Sequence, residues 1–384
     1  MQGAYRGVRS IARTVHRTDP LAPHERTSSG SAEPFHPGGT LHMAVPHLDS
    51  RRTRPEAASG RPAARDRRRF LTSLGLLGSA GLLAPLATRL AHRAPVRLET
   101  SRAGLGTWIR IVALHPDGAR AERATARAFA AIARVDAQMS IHRADSELSR
   151  VNAKAGRETV AVSTELRSVV ALARDASLAS HGVYDPTVLP LMRLYGFYGS
   201  GQRHWPSDRE RSTTLASMGA RHIVIDDAAG TLGLARSGAA LDLGSIGKGW
   251  AVDQAVAALR AEGVTSGLVD VGRNVYALGS PDEHAAGWRI GVLHPDTGEV
   301  TRVLTLHDSA VATSSNAEQS HELDGERVGH LLDARAGKPS HARRSATVTA
   351  RSATSADTGS TLAFLLGAAG TACLPDVTAV EWLA

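Results

Sequence analysis

Apolar and polar positions change period most sharply between Leu241 and Asp253. A short apolar run, Ala239 to Leu243, gives way to a loop carrying Gly244, Gly247 and Gly249. The loop leads into a segment whose apolar positions Val252, Val256 and Leu259 recur at helical spacing. The pattern predicts a strand, a glycine loop and a helix. Two readings fit it. The glycines are a plain strand-to-helix turn, or they let the main chain approach a phosphate at the helix N-terminus, with Lys248 adding a cation. A P-loop is excluded, because the spacing from Gly244 to Lys248 is too short and Gly249 stands where that motif needs Ser or Thr.

The same reading extends along the chain. A strand is predicted over Trp108 to Leu114, a turn at Pro116, Asp117 and Gly118, and a helix from about 119 to 137 with Ala128, Ile132 and Val135 inward. Asp145 and Ser146 open a short helix that buries Leu148 and Val151, and another runs from about 163 to 180, ending before Gly182. Residues 200–215 are polar and read as loop. Strands follow at Gly267 to Val271, leading into Gly272, Arg273 and Asn274, then at Trp288 to Leu293, Val300 to Leu306, Ala310 to Thr313 and Ala346 to Ala350. A last helix runs to about Leu366. No repeat of fixed period is present. Connections of both hairpin and helix length argue for an α+β architecture over a doubly wound parallel sheet.

Charge changes the picture only at the front. The chain of 384 residues has a net charge of +8 and a pI of 10.3. Residues 1–93 alone hold 15 Arg against 6 acidic residues, or +9, so the rest is nearly neutral and nucleic-acid binding loses its support. Arg67, Arg68, Arg69, Phe70 and Leu71 precede a charge-free, Leu-, Gly- and Ala-rich run to Ala87. That arrangement is similar to a twin-arginine export leader, and its dilution with small polar residues disfavours a spanning helix. The expected layout is an extension over 1–66, disordered or preceding a true start at Met43, a signal segment over 67–94, and one large domain over 95–384. An exported, extracytoplasmic protein is expected, with membrane association if the leader stays uncleaved. The single cysteine, Cys373, excludes an intramolecular disulfide and a cysteine-based zinc site.

Three clusters carry candidate chemistry. The stretch from Val183 to Phe197 gathers Tyr184, Tyr195 and Phe197 near Asp185, in a chain that is only 4% aromatic. It is a place for a flat ligand to stack, or an aromatic mini-core under a loop. Asp357 and Thr361 are four apart at the start of the last helix and share a face. They cap that helix, or they offer hard oxygen donors that suit magnesium or calcium. His330, with Asp333 nearby, is a candidate acid or base, or a structural histidine.

Seven motifs stand in one order: Gly106-Thr107, Met139 to Asn152 with its Asp-Ser-Glu-Leu-Ser-Arg core, Tyr184 to Leu191, Leu241 to Asp253, Thr313-Ser314, His330 to Pro339, and Ala356 to Thr361. Together they resemble the FAD:protein FMN transferase (ApbE-like) family over nearly all of residues 104–370. The resemblance implies an ApbE-like, T-fold-related α+β domain that uses FAD as substrate with Mg2+, and attaches FMN to a threonine of an acceptor flavoprotein while AMP leaves. It also implies that Asp242 and Lys248 contact FAD, that Val183, Tyr184 and Asp185 line the flavin or adenine pocket, and that Leu331 packs on the ligand. Leu105 and His142 occupy positions where the family has Met and Tyr. Ser245, through its carbonyl, would ligate magnesium with Asp357 and Thr361, and His330 would move a proton. Arg273 and Ser315 replace glycines usual in the family. Other classes compatible with the residues are a magnesium-dependent FAD pyrophosphatase and a non-catalytic exported flavin-binding protein. A serine hydrolase lacks the elbow that would frame Ser245 or Ser314.

Overall fold

The computed structural model describes residues 94–199, 204–341, 343–372, 374 and 376–383. The expected leader, apart from Ala94, and the extension before it lie outside these residues, as does Cys373. Among the described residues no helix is long and apolar enough to cross a membrane.

A seven-stranded sheet, antiparallel throughout, forms the frame. Its spatial order is Val96–Gly104, Thr107–His115, Ser266–Val271, Asn274–Leu278, Ser309–Ser315, Ser345–Ala350 and Val377–Leu383. Strand Thr107–His115 shows how the sequence builds its two faces. Ile109, Ile111 and Ala113 enter the main core, while Val112 joins a separate cluster on the opposite side, as the two-residue period of a strand requires.

The helices, in chain order, are α1 (Gly118–Met139), α2 (Glu147–Ala153), α3 (Thr164–Ala179), α4 (Leu189–Leu194), α5 (Asp208–Ser217), α6 (Gly247–Ala261) and α7 (Ala353–Leu366). Helices α1, α6 and α7 pack side by side and cover the first sheet face, with Ala128, Ile132, Val135, Val252, Val256 and Leu259 buried there. The other face is covered by the hairpin Trp288–Leu293 and Val300–Leu306. From it Trp288, Ile290 and Leu306 bury against Val112, Leu268, Val275 and Val311. A smaller lobe pairs Val160–Ala161, Thr231–Leu234 and Ile223–Asp226. Beside it α4 packs Leu191 and Met192 against Tyr195, Met218, Leu323 and Val328. The mixed α+β class is as expected.

Several elements differ from the sequence reading. The strand expected over Ala239 to Leu243 is absent: Ala240 makes only an isolated bridge to Val188, and the rest of the run is loop. Within the polar stretch 200–215, α5 forms, because Ser207 and Glu210 make a reciprocal capping box. This helix buries no residue, so no apolar period marked it. The first strand, Val96–Gly104, is an edge strand with no buried position, and carries no clear alternation for the same reason. Helix α7 begins at Ala353, where Ser352 caps it by accepting from Ser355 N. Asp357 therefore lies one turn further in, and the capping reading of that carboxylate falls away.

Candidate active site

The glycine loop is built on a clamp. Asn152, in α2, donates through Nδ2 to Leu241 O at 2.9 Å and accepts from Leu241 N at 2.7 Å, as a neighbouring strand would. Asp242 N donates to Pro186 O at 2.8 Å, tying the loop to the aromatic segment. The Asp242 carboxylate is buried. It accepts from Gly244 N at 2.7 Å and from the Tyr198 hydroxyl. Burial pushes its carboxyl above the usual range, against the pull of these two bonds and of the Lys248 and His142 charges.

Helix α6 starts without a side-chain cap, but two of its first amides are engaged within the protein. Gly247 N donates to Leu243 O at 2.7 Å, and Gly249 N donates to Asp357 Oδ2 at 2.9 Å. The glycine at 249 answers to packing. A Cβ there would lie 2.3 Å from Ala353 O and 2.8 Å from Asp357 Cβ, so α6 and α7 touch only because the side chain is absent. From α6, Asp253 fixes the start of α7 by accepting from Ala353 N at 2.8 Å and Thr354 N at 2.9 Å.

Asp357 and Thr361 are both buried on α7. Burial raises the Asp357 carboxyl above its ordinary range, while Lys248 and the Gly249 amide oppose the rise. Lys248 is the common point. Burial pulls its pKa down, but Asp357, Glu318 and Asp242 outweigh that, so its ammonium is held more firmly than usual. Its Nζ donates to Gly244 O at 3.0 Å. Ser314 reaches across from the sheet, its Oγ lying 2.7 Å from Ser360 Oγ and 3.3 Å from Thr361 Oγ1. On the opposite side Ser245 Oγ donates to the Tyr184 hydroxyl at 3.1 Å. That buried phenol is pushed above its usual range by desolvation, with Asp357, Asp242 and Asp185 adding to the rise.

His330 is docked on the backbone of Gln319. Its Nδ1 lies 3.0 Å from Gln319 O, and a carbonyl can only accept, so Nδ1 carries the hydrogen and Nε2 keeps its lone pair. Burial pulls its pKa down to about 4; the Gln319 bond opposes the fall and the Lys248 charge deepens it. The ring is therefore neutral at pH 7 by a wide margin, further from protonation than a free histidine.

The remaining candidates lie at varying distance from Lys248. His142 sets its ring edge-on to Tyr198, centroids 5.5 Å apart, and so lines the Asp242 side. Leu105 forms, with Gly106, a two-residue hairpin turn at φ 50° and 68°, and packs on the main core. Val183 is buried and its carbonyl accepts from Ala334 N at 3.0 Å. The Asp185 carboxylate is spent on the fold, accepting from Thr187 N at 2.8 Å, Thr187 Oγ1 at 2.6 Å and Ala220 N at 3.2 Å. Leu331 packs with Ala346, Val348, Ala363 and Phe364. Ser315 is buried, its hydroxyl donating to Arg344 O at 2.9 Å and accepting from Ala317 N at 3.1 Å.

Four residues that shape the site were not singled out from the sequence. Asn152 and Asp253 stand inside the recognised motifs but carry no obvious chemistry, and Tyr198 follows directly on the aromatic stretch that ends at Phe197. Glu318 lies in an irregular turn, where no periodicity marks a residue.

The sequence profile of the ApbE family matches residues 105–380. The chain belongs to the ApbE family. It is 34% identical over 227 residues to the FAD:protein FMN transferase of Vibrio cholerae, covering 58% of this chain and 67% of the relative. To the FAD:protein FMN transferase of Treponema pallidum it is 32% identical over 294 residues, covering 72% and 80%. Among solved structures, the flavin transferase ApbE from Vibrio cholerae superposes with a TM-score of 0.65 at 29% identity, covering 76% of this chain and 98% of that one. The ApbE protein of Thermotoga maritima gives 0.66 at 26%, covering 75% and 97%. The ApbE fold expected from the motifs is thus the fold observed.

Proposed function

We propose that this chain is an FAD:protein FMN transferase, moving FMN from FAD to a threonine of a partner redox protein with magnesium seated at Asp357. The observation that carries the reading is the convergence of three carboxylates, Asp242, Glu318 and Asp357, from three separate stretches, on the Lys248 ammonium. Membership of a family whose relatives bear that name supports it.

The residues fit magnesium by their chemistry. Asp357 is buried, and the hydrogen bond its carboxylate makes among the described residues, from Gly249 N, uses Oδ2. Thr361, one turn on, offers a hydroxyl, and Ser245 a carbonyl; all three are hard oxygen donors. Bound there, magnesium would neutralise the FAD pyrophosphate and polarise its phosphorus.

Lys248 stays protonated and presents its charge to the same phosphates. His330 Nε2 takes the proton from the attacking threonine hydroxyl while Nδ1 stays anchored on Gln319. The threonine oxygen bonds to the FMN-side phosphorus, the bridging bond to AMP breaks, and AMP departs with the bridging oxygen. His330 enters the step neutral, its pKa held down to about 4 by burial, so Nε2 is free to accept the proton. Export belongs to the same proposal and rests on Arg67 to Arg69 and the charge-free run behind them.

The test is incubation of the protein with FAD, magnesium and a candidate flavin-carrying partner. Covalent fluorescence on the partner is expected. AMP without labelled partner would show a pyrophosphatase, and intact FAD a flavin-binding protein; either overturns the proposal. N-terminal sequencing of the exported protein checks the leader.

A further inference from the structure

Arg273 stands at a costly position. The strands Ser266–Val271 and Asn274–Leu278 are joined by a two-residue turn with Gly272 at φ 54° and Arg273 at φ 71°, a conformation that suits glycine at both places. Gly272 cannot change, because a Cβ there would lie 2.8 Å from Thr107 Oγ1. Nothing in the turn itself calls for an arginine at 273. Its backbone N–H donates to Asp270 Oδ1 at 3.0 Å, a bond glycine would make equally well.

The side chain, however, has a definite target. Arg273 Nη1 reaches Glu318 Oε1 at 3.2 Å, with both side chains largely covered, 22% and 28% exposed. Glu318 belongs to the segment that walls the site. Four residues before it Ser314 touches Thr361, and the next residue, Gln319, holds His330. Glu318 also acts on Lys248, together with Asp357 and Asp242. Without Arg273 this wall would face an incoming pyrophosphate with three carboxylates and one ammonium.

We propose that Arg273 is a positioning residue for the dinucleotide substrate: it neutralises and holds Glu318, so that Lys248 and the pyrophosphate meet without a competing free carboxylate. This inference rests on the transferase reading of the same site. An unpaired carboxylate beside a bound anion repels it strongly in a partly buried site, and salt weakens the effect only in part.

Arg273→Gly separates this role from a structural one, because glycine is at ease at φ 71° and the fold should lose no stability. Binding of FAD, followed by flavin fluorescence quenching with magnesium present, should weaken by about fivefold to tenfold in Arg273→Gly, with an unchanged melting temperature. The pair Arg273→Gly with Glu318→Gln should recover most of the loss, and Arg273→Lys part of it. Wild-type affinity in Arg273→Gly would overturn this inference alone, and so would a loss that Glu318→Gln fails to repair. Failure of the wild-type protein to bind FAD would overturn the transferase reading and this inference together.

Discussion

The two sides of the Lys248 site are built in opposite ways. On one side α6 and α7 are pressed together so closely that Gly249 has no room for a Cβ. Asp253 is bonded to the first amides of α7, and Asp357 to an amide of α6. On the other side Tyr184, Tyr198, His142 and His330 are rings held by few bonds each; the His330 ring hydrogen-bonds Gln319 O and meets Phe197 edge-on. The contrast fits the proposed function: charges that are to fix a phosphate need positions set by close packing, whereas rings that are to meet a flavin or a partner's hydroxyl can sit on loops with some play.

The helical wall is where the largest effect is expected. Asp357→Asn keeps an acceptor for Gly249 N but removes the anionic oxygen, and transfer is expected to fall on the order of 1,000-fold. A partner-labelling assay with a parallel thermal melt would show whether activity falls without unfolding. Undiminished labelling would remove the wall's role as metal seat.

On the ring side, His330→Gln should cost about 100-fold in labelling rate, the usual scale for a lost general base. It should also change the pH dependence of stability. The folded protein holds His330 at about 4 against an ordinary 6.5, so the unfolded chain binds a proton that the folded one refuses. Stability is therefore lost as pH falls from about 6.5 toward about 4. Urea titrations at pH 7 and pH 5 should show a smaller difference in the glutamine variant.

Gly249→Ala probes the packing itself. Overfilling the contact of α6 with α7 should destabilise by about 1–3 kcal/mol in urea unfolding, an effect no single ring on the opposite side should match by loss of a like-sized group. The smallest effect is expected at Asp185. Its carboxylate braces Thr187 and Ala220, so Asp185→Asn should cost about 1 kcal/mol and leave FAD affinity unchanged. A large loss of affinity would return Asp185 to the ligand.

How much of this was legible in the sequence depends on what each residue answers to. Strand Gly267 to Val271, helix α1 and the helix after the glycine loop announced themselves, because burial imposes a period on their apolar residues. Asp242, Lys248 and Asp357 were legible through motif order, since each stands in a short run whose neighbours are constrained too. Helix α5 was not, because nothing on it is buried and its signal is the capping box at Ser207 and Glu210. Glu318 was hidden for a different reason: its importance comes from facing Lys248 and Arg273 across three separate chain segments, and no local pattern encodes that meeting. At Gly249 the sequence leaves a plain turn and a phosphate cradle open, and the structure adds a reason that neither reading contained, because close helix contact and close ligand contact demand the same missing Cβ.

The hydrogen bond between Asp357 and Gly249 also has a dynamic consequence. One carboxylate both joins the two helices and, on the reading above, grips the ion, so loading the site should quiet the joint between α6 and α7. Amides in the first turns of both helices should exchange with deuterium more slowly once FAD and magnesium are added. The melting temperature should climb with ligand concentration according to simple mass action. The empty enzyme would then be softest at the seam where its charges are placed, and substrate would tighten the seam that binds it.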